Sequence, residues 1–558
     1  MENKKTKILL NIGIVAVIIL FTFSLFKNIA YPLLWNDEAS TAMFGRRVLE
    51  YGYPKVHDEK NSLYLLNDIN HDVGIRSRGD VYVAEGWTQY YLAAFGDYLA
   101  RQTNDMYTKT AILRALFASV GFWAIIIFGL TVSLFFRENK KKAFIAFFLF
   151  ELISISLILH LKEVRYYSLV LLFSAILINV YLRYTMLKTL SYKHYVWIVP
   201  LFITLLFHTH YPIAAVFIIT FGLHNLISAY LMCKKKLSIF LHNFFRSTLP
   251  LFLSLIFIVP SLIYFKTFTI VNTITQQSAL GLENYVNNIF WAFSFFTKFE
   301  FLYLAIFLKI LLILFFCYGQ KITDIKDKVI IRTSNFLSLF FCVYILVIAR
   351  TVFVFERYTM VLQPTLICII LLDILLCWRI FNQTFRSEPT SDKKISRVFI
   401  IIILFAIWFN FVPLIKPVKG HLYELTHRYY GPLDFAIPYI QEKFKDPSKI
   451  IIATNYEENS YMYYLDSKTI IGYVGNNLKE DEKLEPDVII NRKFFDFDKG
   501  YTDIFDTFFS KNKYQKKNFP IFDYPFNNIP ELNFTPSHLF ETKFTEKDAE
   551  KLYIYLKE

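Results

Sequence analysis

Apolar residues in this chain fall in long unbroken runs, not at the half-buried spacing of a water-soluble helix or strand. Runs at 8–28, 111–136, 142–160, 166–187, 195–208, 211–232, 248–266, 300–318, 334–351, 358–379 and 396–415 predict about eleven membrane-spanning helices, because a bilayer needs about 20 apolar residues per span. The fifth run is short and exists only if one long stretch is divided at His208-Thr209-His210. A long polar segment, 35–110, follows the first run. Within it, Ala39–Tyr51 and Trp87–Arg101 alternate near the helical period, as helices lying in a membrane interface do. Segment 281–299, with Trp291, Phe293, Phe295 and Phe296, predicts another such helix.

After residue 416 the pattern changes. Charged residues become frequent and no spanning run remains. Ile450–Thr454, Thr469–Val474 and Val488–Asn491 read as short buried strands, and Asp434–Phe444 and Glu457–Leu465 as helices. The tail with Pro520, Pro525, Pro530 and Pro536 is expected to be irregular. The fold class is therefore mainly α. A membrane domain over 1–415 precedes an external α/β domain over 416–558. No repeat, heptad array or low-complexity tract is present.

Charge changes this picture by giving it an orientation. Lys4, Lys5 and Lys7 precede the first run; Arg137 and Lys140 follow the second; Arg183, Lys188 and Lys193 the fourth. Lys234, Lys236, Lys326, Lys328, Arg379, Lys393 and Lys394 continue the series in alternate loops. Positive loops face the cytoplasm, so the N-terminus is expected inside and segments 35–110 and 416–558 outside, in a multi-pass cell membrane protein. The formal net charge of +14 is thus topological and does not point to nucleic acid. Composition, 55% hydrophobic, adds no second soluble class. A retained first helix is expected in place of a cleaved signal, since Tyr31-Pro32 and Trp35 stand where small cleavage-site residues belong. The five cysteines lie in or beside apolar runs without metal-ligand or disulfide spacing.

The candidate chemistry is the set of ionisable residues expected at external helix ends: Asp37, Glu38, Asp72, Glu85, His160, Lys162, Glu163, Arg165, His208, His210, Arg350, Glu356 and Arg357. A carboxylate suits a general base on an acceptor hydroxyl. Arginine suits phosphate, because its planar fork pairs with two oxygens. Each has a plainer reading. Asp37 and Glu38 could simply cap the helix beginning near Ala39. Arg165 and Arg357, each beside tyrosine, could anchor helices at the interface. His208 and His210 could bond backbone carbonyls, and two histidines two apart do not share a helix face for metal. Asp72, Arg76, Arg78 and Asp80 read as a solvated charged loop.

Asn36-Asp37-Glu38 after the first span, Arg165-Tyr166-Tyr167, His208-Thr209-His210-Tyr211 and Arg357-Tyr358 occur in an order that resembles GT-C glycosyltransferases. The resemblance is to the protein O-mannosyltransferase and lipid A aminoarabinose transferase group. It implies transfer of a sugar from a polyprenyl-phosphate donor, usually with inversion, to a glycan, lipid or protein acceptor. It implies Asp37 as base with Glu38 beside it, and Arg165, Arg357, His210 and Lys162 on the donor phosphate. Glu85, Tyr166, His208 and Tyr358 would contact substrate. The resemblance fixes no cofactor and leaves a divalent cation open. Glu85-Gly86-Trp87 stands where relatives often carry a His-Pro-Pro-like element. The rival readings are a lipid-linked oligosaccharide ligase or polymerase and a transporter. The transporter reading expects broken helices and charges deep in the membrane.

Overall fold

The computed structural model describes residues 4–63, 75–76, 80–233, 236–265, 281–317, 324–351, 354–385, 392–428, 430–473, 478–492, 499–523 and 551–558. Asp72, Arg78, Pro525, Pro530 and Pro536 lie outside them.

All eleven apolar runs are helical. They are α1 (Lys4–Phe26), α4 (Met106–Ser133), α5 (Lys140–Glu151) with α6 (Ile155–Leu161), α7 (Tyr167–Thr185), α8 (Tyr192–Phe207), α9 (Tyr211–Met232), α10 (Leu237–Phe265), α12 (Leu302–Cys317), α13 (Ile325–Ile348), α14 (Leu362–Phe385) and α15 (Asp392–Phe411). Eight of the described helical segments are long and apolar enough to cross a membrane alone. Two more spans are bent pairs: α5 turns by 84° into α6, and α11 (Leu282–Phe299) turns by 94° into α12. α8 is the short one, and it ends at the turn of His208. The protein is thus a multi-pass membrane protein. Apolar side chains such as Ile12, Leu231, Ile256, Ile263 and Phe405 stay exposed on its outside, as a lipid-facing surface requires.

The bends correct the expectation that run 142–160 is one straight span. Ile153 and Ser154 close onto Phe150 and Glu151 by short-range bonds, and the helical ladder stops there. Packing is sequential and tight: α4 lies on α7, α7 on α8, α8 on α10, and α13 on both α9 and α14. Some polar groups inside this body are bonded across helices. Lys309 of α12 meets Asp373 of α14 at 3.2 Å, with Ser334 of α13 donating to the same carboxylate at 2.6 Å.

Between α1 and α4 lie α2 (Asn36–Tyr51) and α3 (Thr88–Ala100), packed on each other, with a two-stranded ribbon, β1 (Ile75–Arg76) and β2 (Val81–Tyr82). α2 stops at Gly52, whose φ of 83° lets its N–H return to Val48. Asp80 is not merely solvated: it accepts from the His57 backbone N–H at 2.9 Å and from the His57 ring.

The helical stretch after α15 runs past the expected boundary at 415. It passes through a 3₁₀ turn into α16 (Ile415–Thr426), and His421 there bonds Ser24 of α1 at 2.8 Å. The α/β unit then begins. It contains α17 (Leu433–Lys443), β3 (Ile451–Thr454), α18 (Glu458–Leu465), β4 (Lys468–Ile471), α19 (Leu478–Asp481), β5 (Val488–Ile490), α20 (Lys499–Lys511), β6 (Tyr514–Phe522) and β7 (Lys551–Lys557). The sheet order is β4-β3-β5-β7-β6, with β3 parallel to β4 and β5, and β7 antiparallel to β5 and β6. β4 is shorter than the run Thr469–Val474 because Ile471 and Gly472 both take positive φ, 75° and 71°, and turn the chain. Pro520 lies inside β6 and not in an irregular tail. The ladder shifts register between Asn518 and Phe522 around it, as a proline without an N–H requires.

One buried cluster joins the two halves. Leu33, Leu34 and Phe44 from the first loop share a core with Leu433, Ile437, Tyr461 and Met462 of the α/β unit. Polar contacts fix the register. Leu34 donates to the Tyr464 hydroxyl at 3.0 Å, Ser460 donates to the Leu34 carbonyl at 2.9 Å, and Asn459 donates to the Asn36 side chain at 3.1 Å.

Candidate active site

The N-terminus of α2 places Asp37 beside three other elements. The Arg165 guanidinium, in the link from α6 to α7, lies 3.8 Å from the Asp37 carboxylate. The same guanidinium grips Glu85 with two contacts, 2.7 and 3.3 Å, and touches the Thr41 hydroxyl at 3.3 Å. Glu85 also accepts from Gln89 and the Tyr90 hydroxyl, both at 2.9 Å. Burial opposes charge on Glu85, but Arg165 and these donors outweigh it and hold its pKa below the usual carboxylate value. Arg165 thus donates through its two terminal nitrogens to Glu85 and Thr41, while its buried Nε has no hydrogen-bond partner. Its geometry orients Asp37 and Glu85.

Glu38 has a different environment one residue on. It is fully buried against Arg114 of α4, which donates at 2.9 and 2.5 Å, and it accepts from the Val164 N–H at 3.0 Å. Arg114 also bonds the carbonyls of Ile29 and Pro32 at 3.2 and 2.6 Å. Glu38 thus ties α2, α4 and the α6–α7 link together beneath Asp37. Lys162 lies half-buried in that link, within electrostatic reach of Glu424, Arg114 and Glu38, and does not line the large cavity described below.

His210 stands at the start of α9, its ring 4.7 Å from Tyr166 and 6.4 Å from Tyr358. Burial pushes its pKa down to about 4, so at neutral pH the imidazole carries no charge. A neutral ring offers one N–H and one acceptor. His208 acts through its backbone, where its carbonyl accepts from the Thr88 N–H at 3.1 Å and hydroxyl at 2.9 Å. Gly86 is required there, since a side chain on it would meet the His208 carbonyl at 2.3 Å. Tyr358 takes the Tyr344 hydroxyl on its carbonyl at 2.6 Å. Arg357 is buried with its guanidinium 4.2 Å from the Phe355 ring and 5.4 Å from that of Trp35.

A cavity of about 1020 Å³ opens from this cluster between α9, α10 and α13. Glu85, Tyr166, His210, Arg350 and Tyr358 line its polar part, and Ala215, Leu223, Leu255, Ile258 and Val347 its apolar part. Tyr211 and Leu223 both border it, so it follows α9 for roughly 18 Å at about 1.5 Å per residue. Arg350 is exposed and stacks 5.0 Å from Tyr285.

The α/β unit roofs the site. β3, β4 and β5 run parallel, and the segments at their carboxyl ends carry Tyr456, Glu458 at the start of α18, Tyr473 and Arg492. Tyr456, Glu458 and Tyr473 are in electrostatic reach of Asp37. Burial, first, and the nearby Glu457 and Asp37 raise the Glu458 pKa to about 7. Sequence reasoning missed Arg114, Arg350 as a cavity residue, and Glu458. Arg114 and Glu151 carried a signal, a charge inside an apolar run; Glu458 carried none, because only the docking of the unit brings it to Asp37.

No family model matches the chain, and no curated protein matches it. Among solved structures, it is similar to ArnT from Cupriavidus metallidurans in the apo state, with 12% identity, 99% of this chain and 98% of that one covered, and a TM-score of 0.47. It is also similar to ArnT from the same organism bound to undecaprenyl phosphate, with 11% identity, 84% and 86% covered, and a TM-score of 0.44.

Proposed function

We propose that the protein is a membrane glycosyltransferase that moves a sugar from a polyprenyl-phosphate donor to an acceptor on the outer side of the membrane. The observation that carries this reading is the apolar cavity between α9, α10 and α13 ending at an ordered carboxylate–arginine cluster. A long isoprenoid chain fits a deep apolar groove; a water-soluble donor would not need one. In this reading Asp37 takes the proton from the acceptor nucleophile as the nucleophile bonds to the anomeric carbon. The bond from that carbon to the phosphate oxygen breaks, and lipid phosphate departs from the opposite face, with inversion. Arg357 and Arg350 stabilise its charge, and Arg350 takes the phosphate role first expected of Arg165. Arg165 holds Asp37 and Glu85 in place. Glu38 supports α2, and Tyr166, His208, His210 and Tyr358 shape the donor end. In this reading the membrane domain and the roofing α/β unit form one site between them, and the basic loops support a cytoplasmic N-terminus.

The test is mass spectrometry of surface glycans and glycolipids from cells with the protein, without it, and with Asp37→Asn. A sugar adduct present only with the wild-type protein supports the reading. Near-normal adduct with Asp37→Asn would sink it.

A further inference from the structure

Both helix bends carry a buried glutamate, and the bends touch. Glu151 ends α5 and Glu300 follows α11. The rings of their neighbours, Phe150 and Phe301, pack edge to face at 4.9 Å. Ser154, in the first bend, donates to Glu300 at 2.8 Å across the junction, and Gln363 of α14 donates to the same oxygen at 3.0 Å. Glu151, Glu300 and Gln363 are each at most 1% exposed. Yet both oxygens of Glu151, the second oxygen of Glu300 and the amide oxygen of Gln363 have no hydrogen-bond partner. Among the described residues no lysine, arginine or histidine forms an ion pair with Glu151 or Glu300. The other titratable groups in electrostatic reach are Cys368 and Glu356, neither a cation.

Two carboxylates without a basic partner cannot stay charged in a dry interior. One proton satisfies one pair of acceptors and leaves the others orphaned. A doubly charged ion balances both carboxylates and accepts all four oxygens as ligands. We propose that Glu151, Glu300 and Gln363 bind a hard divalent cation of calcium size at the junction of the two bent spans. Calcium suits the set better than magnesium, since it accepts oxygen ligands in irregular geometry and binds carboxylates bidentately. This site is distinct from the Asp37 cluster and does not depend on the transferase reading. Its ion pins α5–α6 to α11–α12, with Glu356 within electrostatic reach of Glu300. Among the described residues no group of three or more His, Cys, Asp or Glu side chains is placed to hold a metal; here two carboxylates and an amide do so.

The test uses the full-length protein in nanodiscs, stripped with a chelator. Radioactive calcium retained after gel filtration counts bound ions, and thermal melting is followed as calcium or magnesium is added. The expected result is one retained calcium per chain and a saturable rise in Tm that the chelator reverses. Magnesium gives at least a tenfold weaker half-effect. Glu151→Gln and Glu300→Gln lose the retained ion, and Gln363→Ala weakens it at least tenfold. If the glutamine variants misfold, the wild-type count and Gln363→Ala still decide. No retained calcium in the wild type would mean the two carboxyls hold protons and overturns the proposal, as does unchanged retention in Gln363→Ala.

Discussion

At the residue scale, neighbours in sequence separate by burial. Asp37 keeps about a quarter of its side chain exposed, while Glu38 is sealed on Arg114. Removing one partner of a buried pair leaves the other charge stranded, which costs about 3–5 kcal/mol. Glu38→Ala should therefore lower the Tm sharply, and a thermal melt within a degree of wild type would contradict the role given to it. Glu458 sets a pH dependence. Its folded pKa, about 7, lies above the reference carboxylate value of 4.5. The native state thus holds the proton more tightly than the unfolded state. The stability this proton supplies is complete below about pH 4.5 and is lost as pH rises through about 7. Glu458→Gln, which cannot ionise, should gain more stability over wild type at pH 8 than at pH 5, by on the order of 2 kcal/mol. Equal gains at both pH values would show that Glu458 does not titrate there.

Elements decide what the cavity can hold. α9, α10 and α13 border the cavity along roughly 18 Å of α9, where small residues such as Ala214 and Ala215 line the wall. Ala215→Trp should fill that wall. It should weaken binding of undecaprenyl phosphate by tenfold or more in a nanodisc binding assay and leave a short-chain prenyl phosphate nearly unaffected. Equal losses for both ligands would place the lipid elsewhere. The bends of α5–α6 and α11–α12 act differently: they bring glutamates from distant runs into one interior junction, which straight spans would leave apart.

The whole molecule is held together at the stretch that carries Asp37. Tyr464 accepts from Leu34 and shares a 2.5 Å hydrogen bond with Thr110, so one hydroxyl links the α/β unit, the first loop and α4. Tyr464→Phe leaves the buried Leu34 N–H without a partner, a cost of about 1–3 kcal/mol. The expected outcome is faster proteolytic release of the α/β unit with the membrane body intact; an unchanged cleavage rate would show that the apolar core alone secures it.

The sequence by itself determined the mainly helical membrane body, its eleven apolar runs, the helices of the first loop and three short strands of the α/β unit. Hydrophobic run length and period are local quantities, so a single chain displays them. It also singled out Glu85, His210 and Tyr358, which line the cavity, and Asp37 and Arg165, which meet beside Glu85. Only the tertiary structure decided who partners whom. Glu38 and Arg114, Arg165 and Glu85, and Glu458 near Asp37 meet across long stretches of chain. The neutral state of His210 and the bends at Glu151 and Glu300 likewise depend on burial. Burial and long-range pairing set those charges, and neither is written in local sequence.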